Sequence, residues 1–240
     1  MFNTILIYPL LNVLFGIYGL VPGHDFGITV IILTLIIRFA LWPITGKQLH
    51  SQKKLQALQP EITRVRAEAG GDRQKESQLL MELYKEKEIN PFSACLPALL
   101  QFPFLIALYF VLRQATGSVE SFVPHLYGPV AHLPYIQAIV DNNSLFQPKL
   151  FGWLSMAKPI IVLSLIAGLS QYWQVRMITP KVVGDDPQAK VTASMSYLFP
   201  VLTAFISFSL SAALPLYWIV SNLVAVAQQS LIMRAETVKM

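Results

Sequence analysis

The chain has 240 residues, of which 54% are hydrophobic and only 13% charged, with a net charge of +5. Its mean hydropathy of +0.53 is too high for a soluble domain of this size, whose surface would need more charge to face water. These values exclude a soluble globular class and point to an all-α, polytopic membrane protein.

The first residues, MFNTILIYPLLN, hold no Lys or Arg and have no small-residue cleavage site after the apolar run, so no cleaved signal peptide is expected. The Arg- and Ser-rich composition of an organelle transit peptide is absent too, which favours the plasma (inner) membrane of a bacterium. Within residues 1–24, Asn3, Pro9 and Asn12 interrupt the apolar run, while Tyr8, Phe15 and Tyr18 suit a membrane interface. The expectation is an interfacial helix along the outer face, with a sixth span as the alternative.

Five further runs approach the ~20 residues a helix needs to cross the hydrocarbon layer. They define spans at 25–45, 91–113, 156–178, 191–209 and 212–233. Between the first two, residues 46–90 are too patterned for a plain linker. Leu55, Leu58, Ile62 and Val65 step by three and four; AGGD at 69–72 breaks the pattern; Leu79, Leu80 and Leu83 resume it. This predicts a projecting antiparallel helical hairpin, whose nine basic and seven acidic residues leave it at +2. A solvated spacer and a docking arm for polypeptide or ribosome both fit that pattern.

The second span carries Gln101 and prolines 91, 97 and 103. Each proline removes a backbone donor and frees a carbonyl, so bent helices are expected here and at Pro200 and Pro215. Cys95, the single cysteine, reads as a buried small hydrophobe. The loop at 114–155 holds His125, His132, Tyr127, Tyr135 and Trp153. Two histidines seven apart without Cys or carboxylate at ligand spacing give no metal site, and aromatic anchors suit a loop hugging the interface.

Lys and Arg collect in cytoplasmic loops. Nine lie in 46–90, three (Arg176, Lys181, Lys190) around the loop 179–190, and two (Arg234, Lys239) in the tail 234–240. The opposite side keeps Arg113, Lys149 and Lys158. The expected orientation is N-terminus outside and C-terminus cytoplasmic.

Arg38 interrupts the first span, nine residues before Lys47. At 1.5 Å per residue the separation is roughly 13 Å, near the middle of a ~30 Å core. An arginine there costs about 2.5–3.5 kcal/mol to insert. Of the thirteen acidic residues, twelve fall outside the spans and Asp25 stands at the outer end of the first, thirteen residues before Arg38, so none can neutralise it there. Snorkelling reaches only ~6 Å. A water-containing cavity remains, and its candidate lining is Thr34, one turn before Arg38, with Gln101, Gln171, Gln174, Thr203, Ser207, Ser221, Asn222, Gln228 and Gln229. Each alone also suits an interhelical hydrogen bond.

Four segments, ILTLIIRFALWPITGKQLHSQKKLQALQPE, LYKEKEINPFSACLPALLQFPFLIALYFVLR, DPQAKV and LYWIVSNLVAVAQQSLIMR, occur in an order that resembles the YidC/Oxa/Alb family of membrane protein insertases. The resemblance implies five core spans around a hydrophilic groove, closed outward and open to cytoplasm and lipid. It makes Arg38 the family arginine, places substrate contacts at Thr34, Tyr217 and Trp218, and makes the hairpin a substrate-receiving loop. Where the family usually has a Pro-Ala-Gly-Leu turn before the aromatic pair, this chain reads SAALPLYW. The large extracytoplasmic domain, the lipoprotein cysteine and the basic ribosome-binding tail of some members have no counterpart in it.

The expected function is insertion and chaperoning. Hydrophobic segments of nascent membrane proteins would enter a groove of Arg38, Thr34, Gln101, Gln171, Gln174, Ser207, Tyr217, Trp218 and Asn222, then pass into lipid, alone or with a Sec translocon. Expected partners are those clients, the Sec translocon, the ribosome and membrane lipids, with no specific nucleic acid. The spans hold no nucleophile and base pair, so neither enzyme chemistry nor a cofactor or metal is expected. A small anion transporter or channel with Arg38 as counter-ion is the competing class. It lacks the internal repeats usual for transporters and leaves the hairpin unexplained.

Overall fold

A computed structural model describes residues 1–88, 96–179 and 187–237, without the side chains of 96–101, 178, 187–193, 195 and 233–237. Cys95, Pro91 and Lys181 therefore lie outside the described residues, as do the side chains of Pro97 and Gln101. The regular structure of the described residues is helical apart from one two-stranded ribbon.

Helix α1 (Asn3–Leu20) is long and apolar enough to cross a membrane, with a mean hydropathy of 1.5. Pro9 cannot donate to a carbonyl one turn back, and the turn before it, Asn3–Ile7, is wound as a π-helix. Helix α2 (Phe26–Ala40) starts on Asp25, whose side chain accepts from the Ile28 N–H at 2.9 Å. A carboxylate there also faces the positive end of the helix dipole.

Hydropathy predicts a first span that is one apolar helix through residue 45. The helix instead stops at Ala40 and turns by 61° into α3 (Trp42–Ala57). Pro43 is the cause: it has no N–H, and its ring clashes with the carbonyl four residues back. Helix α4 (Gln59–Ala69) and α5 (Arg73–Glu86) then form the hairpin. Gly70 and Gly71, at φ of 61° and 89°, make the left-handed turn that other residues resist. Asp72 caps α5 through the Gln74 and Lys75 N–H groups. Leu58, Ile62 and Leu83 are buried in its seam against Val65, Leu80 and Tyr84, while Leu55 and Leu79 fall outside that cluster. Ion pairs Arg66–Glu76 and Lys87–Glu61, both at 3.0 Å, tie the two helices.

Helix α6 (Leu96–Ala115) is followed by three short helices, α7 (Val119–Phe122), α8 (Gly128–Ala131) and α9 (Pro134–Asp141). The antiparallel ribbon β1 (Lys149–Leu150) and β2 (Leu154–Ser155) comes next. These residues build a core with α1. Phe122, Ile136, Ile139, Phe146 and Met156 are buried against Leu11, Leu14, Phe15 and Tyr18. The Phe15 and Phe122 rings stack at 4.0 Å and those of His24 and Tyr135 at 3.4 Å. Trp153, at the ribbon turn, stays 72% exposed. Gly27 lets the ribbon reach α2, since a Cβ there would lie 2.5 Å from the Leu150 Cβ.

Three long helices complete the chain: α10 (Ile161–Ile178), α11 (Pro187–Ser207) and α12 (Ala213–Thr237). Helix α12 packs on α2 and α10, and α10 on α11. Gly168 brings α10 against α11, where a Cβ would sit 2.8 Å from that of Ala204; small residues serve such close helix approaches in membranes. Positions along α12 give the molecule an axis. Ala212 and Ala213 bond to the Lys158 and Met156 carbonyls beside the ribbon, and Gln228 bonds to α3. The packed cap of α1 and α7–α9 is thus at one end and the α3–α5 arm at the other.

Candidate functional site: a polar groove at the helix bend

Between those ends lies a cavity of about 330 Å³. Arg38 from α2, Thr45 and Gln48 from α3, Gln171 and Gln174 from α10, and Tyr217, Trp218, Ser221 and Asn222 from α12 line it, with Phe104 and Leu105 of α6 as an apolar wall.

Arg38 reaches this space because it follows Thr34 by one turn on the face of α2 that meets α12. Its Nε donates to the Ser221 hydroxyl at 2.7 Å, and Nη2 donates to the same oxygen. Among the described residues no carboxylate pairs with it. A guanidinium has five N–H donors. Two end on one hydroxyl oxygen, and the guanidinium borders the cavity.

The neighbouring polar groups are held by one another. Asn222, 4% exposed, donates to the Ser170 hydroxyl at 3.1 Å, and Gln171 donates to Gln174 Oε1 at 3.4 Å. At the arm end, the Gln228 amide joins Thr45 and the Trp42 carbonyl. Unpaired buried amides cost about 1–3 kcal/mol each, so these bonds let polar side chains sit among apolar helices.

Of the residues read from sequence as groove lining, Arg38, Gln171, Gln174, Tyr217, Trp218 and Asn222 face this one cavity. Thr34 and Ser207 do not. Both are buried, and their hydroxyls donate to the carbonyls one turn back, Val30 at 2.6 Å and Thr203 at 2.6 Å. A Ser or Thr inside a helix can always spend its proton this way, so residue type alone does not say which cavity it serves. The Gln101 side chain is outside the described residues. Thr45 and Gln48 escape a sequence reading because the hydropathy pattern assigns the residues after Trp42 to a membrane exit and an arm. The signal that points to them is Pro43, which redirects the chain across the groove mouth.

A helical bundle with a cation-bearing polar groove and apolar outer faces belongs to the class of helical membrane proteins. The family model described as 60Kd inner membrane protein matches residues 17–239. Proteins described as "Membrane protein insertase YidC" are similar throughout. The one from Tolumonas auensis is 36% identical over 94% of this chain and 36% of its own length. That from Clostridium tetani is 35% identical over 90% of this chain and 84% of its own, and that from Vibrio atlanticus 37% over 95% and 36%. The chain thus spans about a third of the length of the relatives from Tolumonas auensis and Vibrio atlanticus. The chain belongs to the 60Kd inner membrane protein family, the YidC/Oxa/Alb family that its motifs resemble, and is an inner-membrane protein.

Proposed function

We propose that this protein inserts membrane proteins, receiving a polar stretch of a nascent client in the groove at Arg38 and releasing the adjoining apolar helix into lipid. The observation that carries the reading is the state of Arg38: a fixed cation between helices, held by one hydroxyl and facing a cavity of polar side chains. A polar segment crossing a membrane must shed its water, and a groove with one cation shortens the apolar path. An acidic tail is held there transiently, and burial of the client's apolar helix, at about 25 cal/mol per Å², drives release. No covalent step is needed.

Five spans with the C-terminus and the arm in the cytoplasm fit this reading, in which the apolar runs of the sequence fall on α2 with the start of α3, and on α6, α10, α11 and α12. Helix α1 fits as a part of the outer cap: Asn12 bonds the His125 carbonyl and the Tyr127 N–H, tying α1 to the loop it packs on. The arm serves clients arriving from the ribosome, alone or beside a Sec translocon.

The test is photo-crosslinking from Gln174 and Trp218 in cells synthesising a short membrane protein with an acidic outer tail, with Trp153 as the distant control. Adducts with the nascent client from the first two positions are expected. Their absence, together with normal insertion after depletion of the protein, would overturn the reading.

A further inference from the structure

At the cap end of the bundle, a second cavity of about 440 Å³ opens between the last turns of α6 and the turn joining α11 to α12. Tyr109, Arg113 and Thr116 form one wall; Ser209, Ser211 and Leu214 form the other. Its size is within the roughly 300–1,000 Å³ of small-molecule sites.

The donors in it can be sorted. Thr116 spends its proton on the Leu112 carbonyl at 2.7 Å and Ser209 on that of Ile206 at 2.9 Å. The N–H groups of Ala212 and Ala213, at the start of α12, are taken by the Lys158 and Met156 carbonyls. Three groups remain: the Arg113 guanidinium, whose one described partner is the Tyr109 hydroxyl at 3.4 Å, the proton of that hydroxyl, and the Ser211 hydroxyl. Among the described residues no carboxylate lines the cavity and Arg113 makes no ion pair. A planar cation with two hydroxyl donors suits an anion with several acceptor oxygens, which is the chemistry of phosphate.

Two exposed apolar stripes run toward these donors. On α6, Phe102, Ile106 and Phe110 are 61%, 44% and 39% exposed and step by four toward Arg113. On α11, Val201 and Phe205, 65% and 70% exposed, step by four toward Ser209. Among the described residues α6 and α11 form no extended contact. Free phosphate fits the donors but leaves the stripes unused; a lipid uses both.

We propose that this cavity binds the phosphodiester headgroup of a membrane phospholipid, whose acyl chains lie along the exposed stripes of α6 and α11. The site is separate from the groove at Arg38, and it requires only that the protein be embedded in a membrane.

The experiment is native mass spectrometry of the full chain in detergent, titrated with phosphatidylglycerol. The wild type retains one lipid; Arg113→Gln weakens retention by about tenfold, the loss of a charge-assisted pair, and Arg113→Lys restores part of it. Ser211→Ala weakens it less and keeps the test decisive if Arg113→Gln does not fold. Lys149→Gln, a cation on the ribbon, leaves retention unchanged. Equal retention by wild type and Arg113→Gln, or equal loss from Lys149→Gln, overturns the site. Displacement of the lipid by excess inorganic phosphate would assign the cavity to the free anion, and displacement by an acidic peptide would assign it to a polypeptide; either overturns the lipid.

Discussion

The Thr45 hydroxyl, one turn beyond the helix bend, donates to Gln228 Oε1 at 2.9 Å, while Nε2 of the same amide donates to the Trp42 carbonyl at 3.0 Å. One buried side chain on α12 thus clasps the first turn of α3 from both its donor and acceptor ends. Gln228→Leu keeps the volume and removes both bonds, and is expected to cost about 1–3 kcal/mol. Thermal unfolding in detergent reads that loss. Paired spin labels on α3 and α12 are expected to show a broader distance distribution in the variant.

Arg38→Ala is expected to abolish insertion of acidic-tailed clients while Arg38→Lys keeps much of it, because charge rather than forked geometry is needed by a guest that passes through. Ser221→Ala removes the hydroxyl that fixes the guanidinium, and should reduce activity by only a fewfold, since the charge stays in the groove. Protease protection of a translocated tail measures all three. Equal activity of the Ala and Lys variants would mean that no fixed cation is required.

Asn12 joins three backbone groups: its amide donates to the Tyr8 and His125 carbonyls and its oxygen accepts from the Tyr127 N–H at 2.6 Å. Asn12→Leu strands two groups of the loop at a buried position, at about 1–3 kcal/mol each. Limited proteolysis is expected to cut between α7 and α8 much faster in this variant, with the groove side chains unaffected.

The Glu120 carboxyl is held below the usual carboxylate range, first by its own backbone N–H, then by the Ser118 hydroxyl and the Asn143 amide. A depressed folded-state value contributes stability that is full above the unfolded range near pH 4.3 and is lost as pH falls through the folded value. Hydrogen exchange at 119–122 and 143–145 should therefore rise on acidification, beyond the intrinsic pH effect. Glu120→Gln should remove that extra rise.

Much of the architecture was legible because membranes simplify the code: long apolar runs must be helices, and a lone Arg38 among them demands polar company. Gln171, Gln174 and Asn222 could be paired with it because amides in apolar helices have few other uses. The bend at Leu41 was not legible from hydropathy, since Trp42, Pro43 and Ile44 look as apolar as the residues before them, and only the proline differs. Nor was the core between α1 and the loop, where Phe15 meets Phe122 across more than a hundred residues. Aromatic residues near a membrane read equally well as lipid anchors or as packing, and sequence spacing does not separate partners that far apart.

The twelve largest fully buried side chains, among them Phe15, Tyr18, Phe26, Phe122 and Met156, all belong to the cap, to the ribbon's end, to the first half of α2 or to the last turns of α6. Among the described residues none comes from the arm, where the hairpin closes on a seam of three buried side chains and ion pairs at its rim. The molecule therefore has a gradient of stiffness along its long axis. Under the function proposed above, a bulky guest would enter from the compliant arm end while the cap keeps its packing.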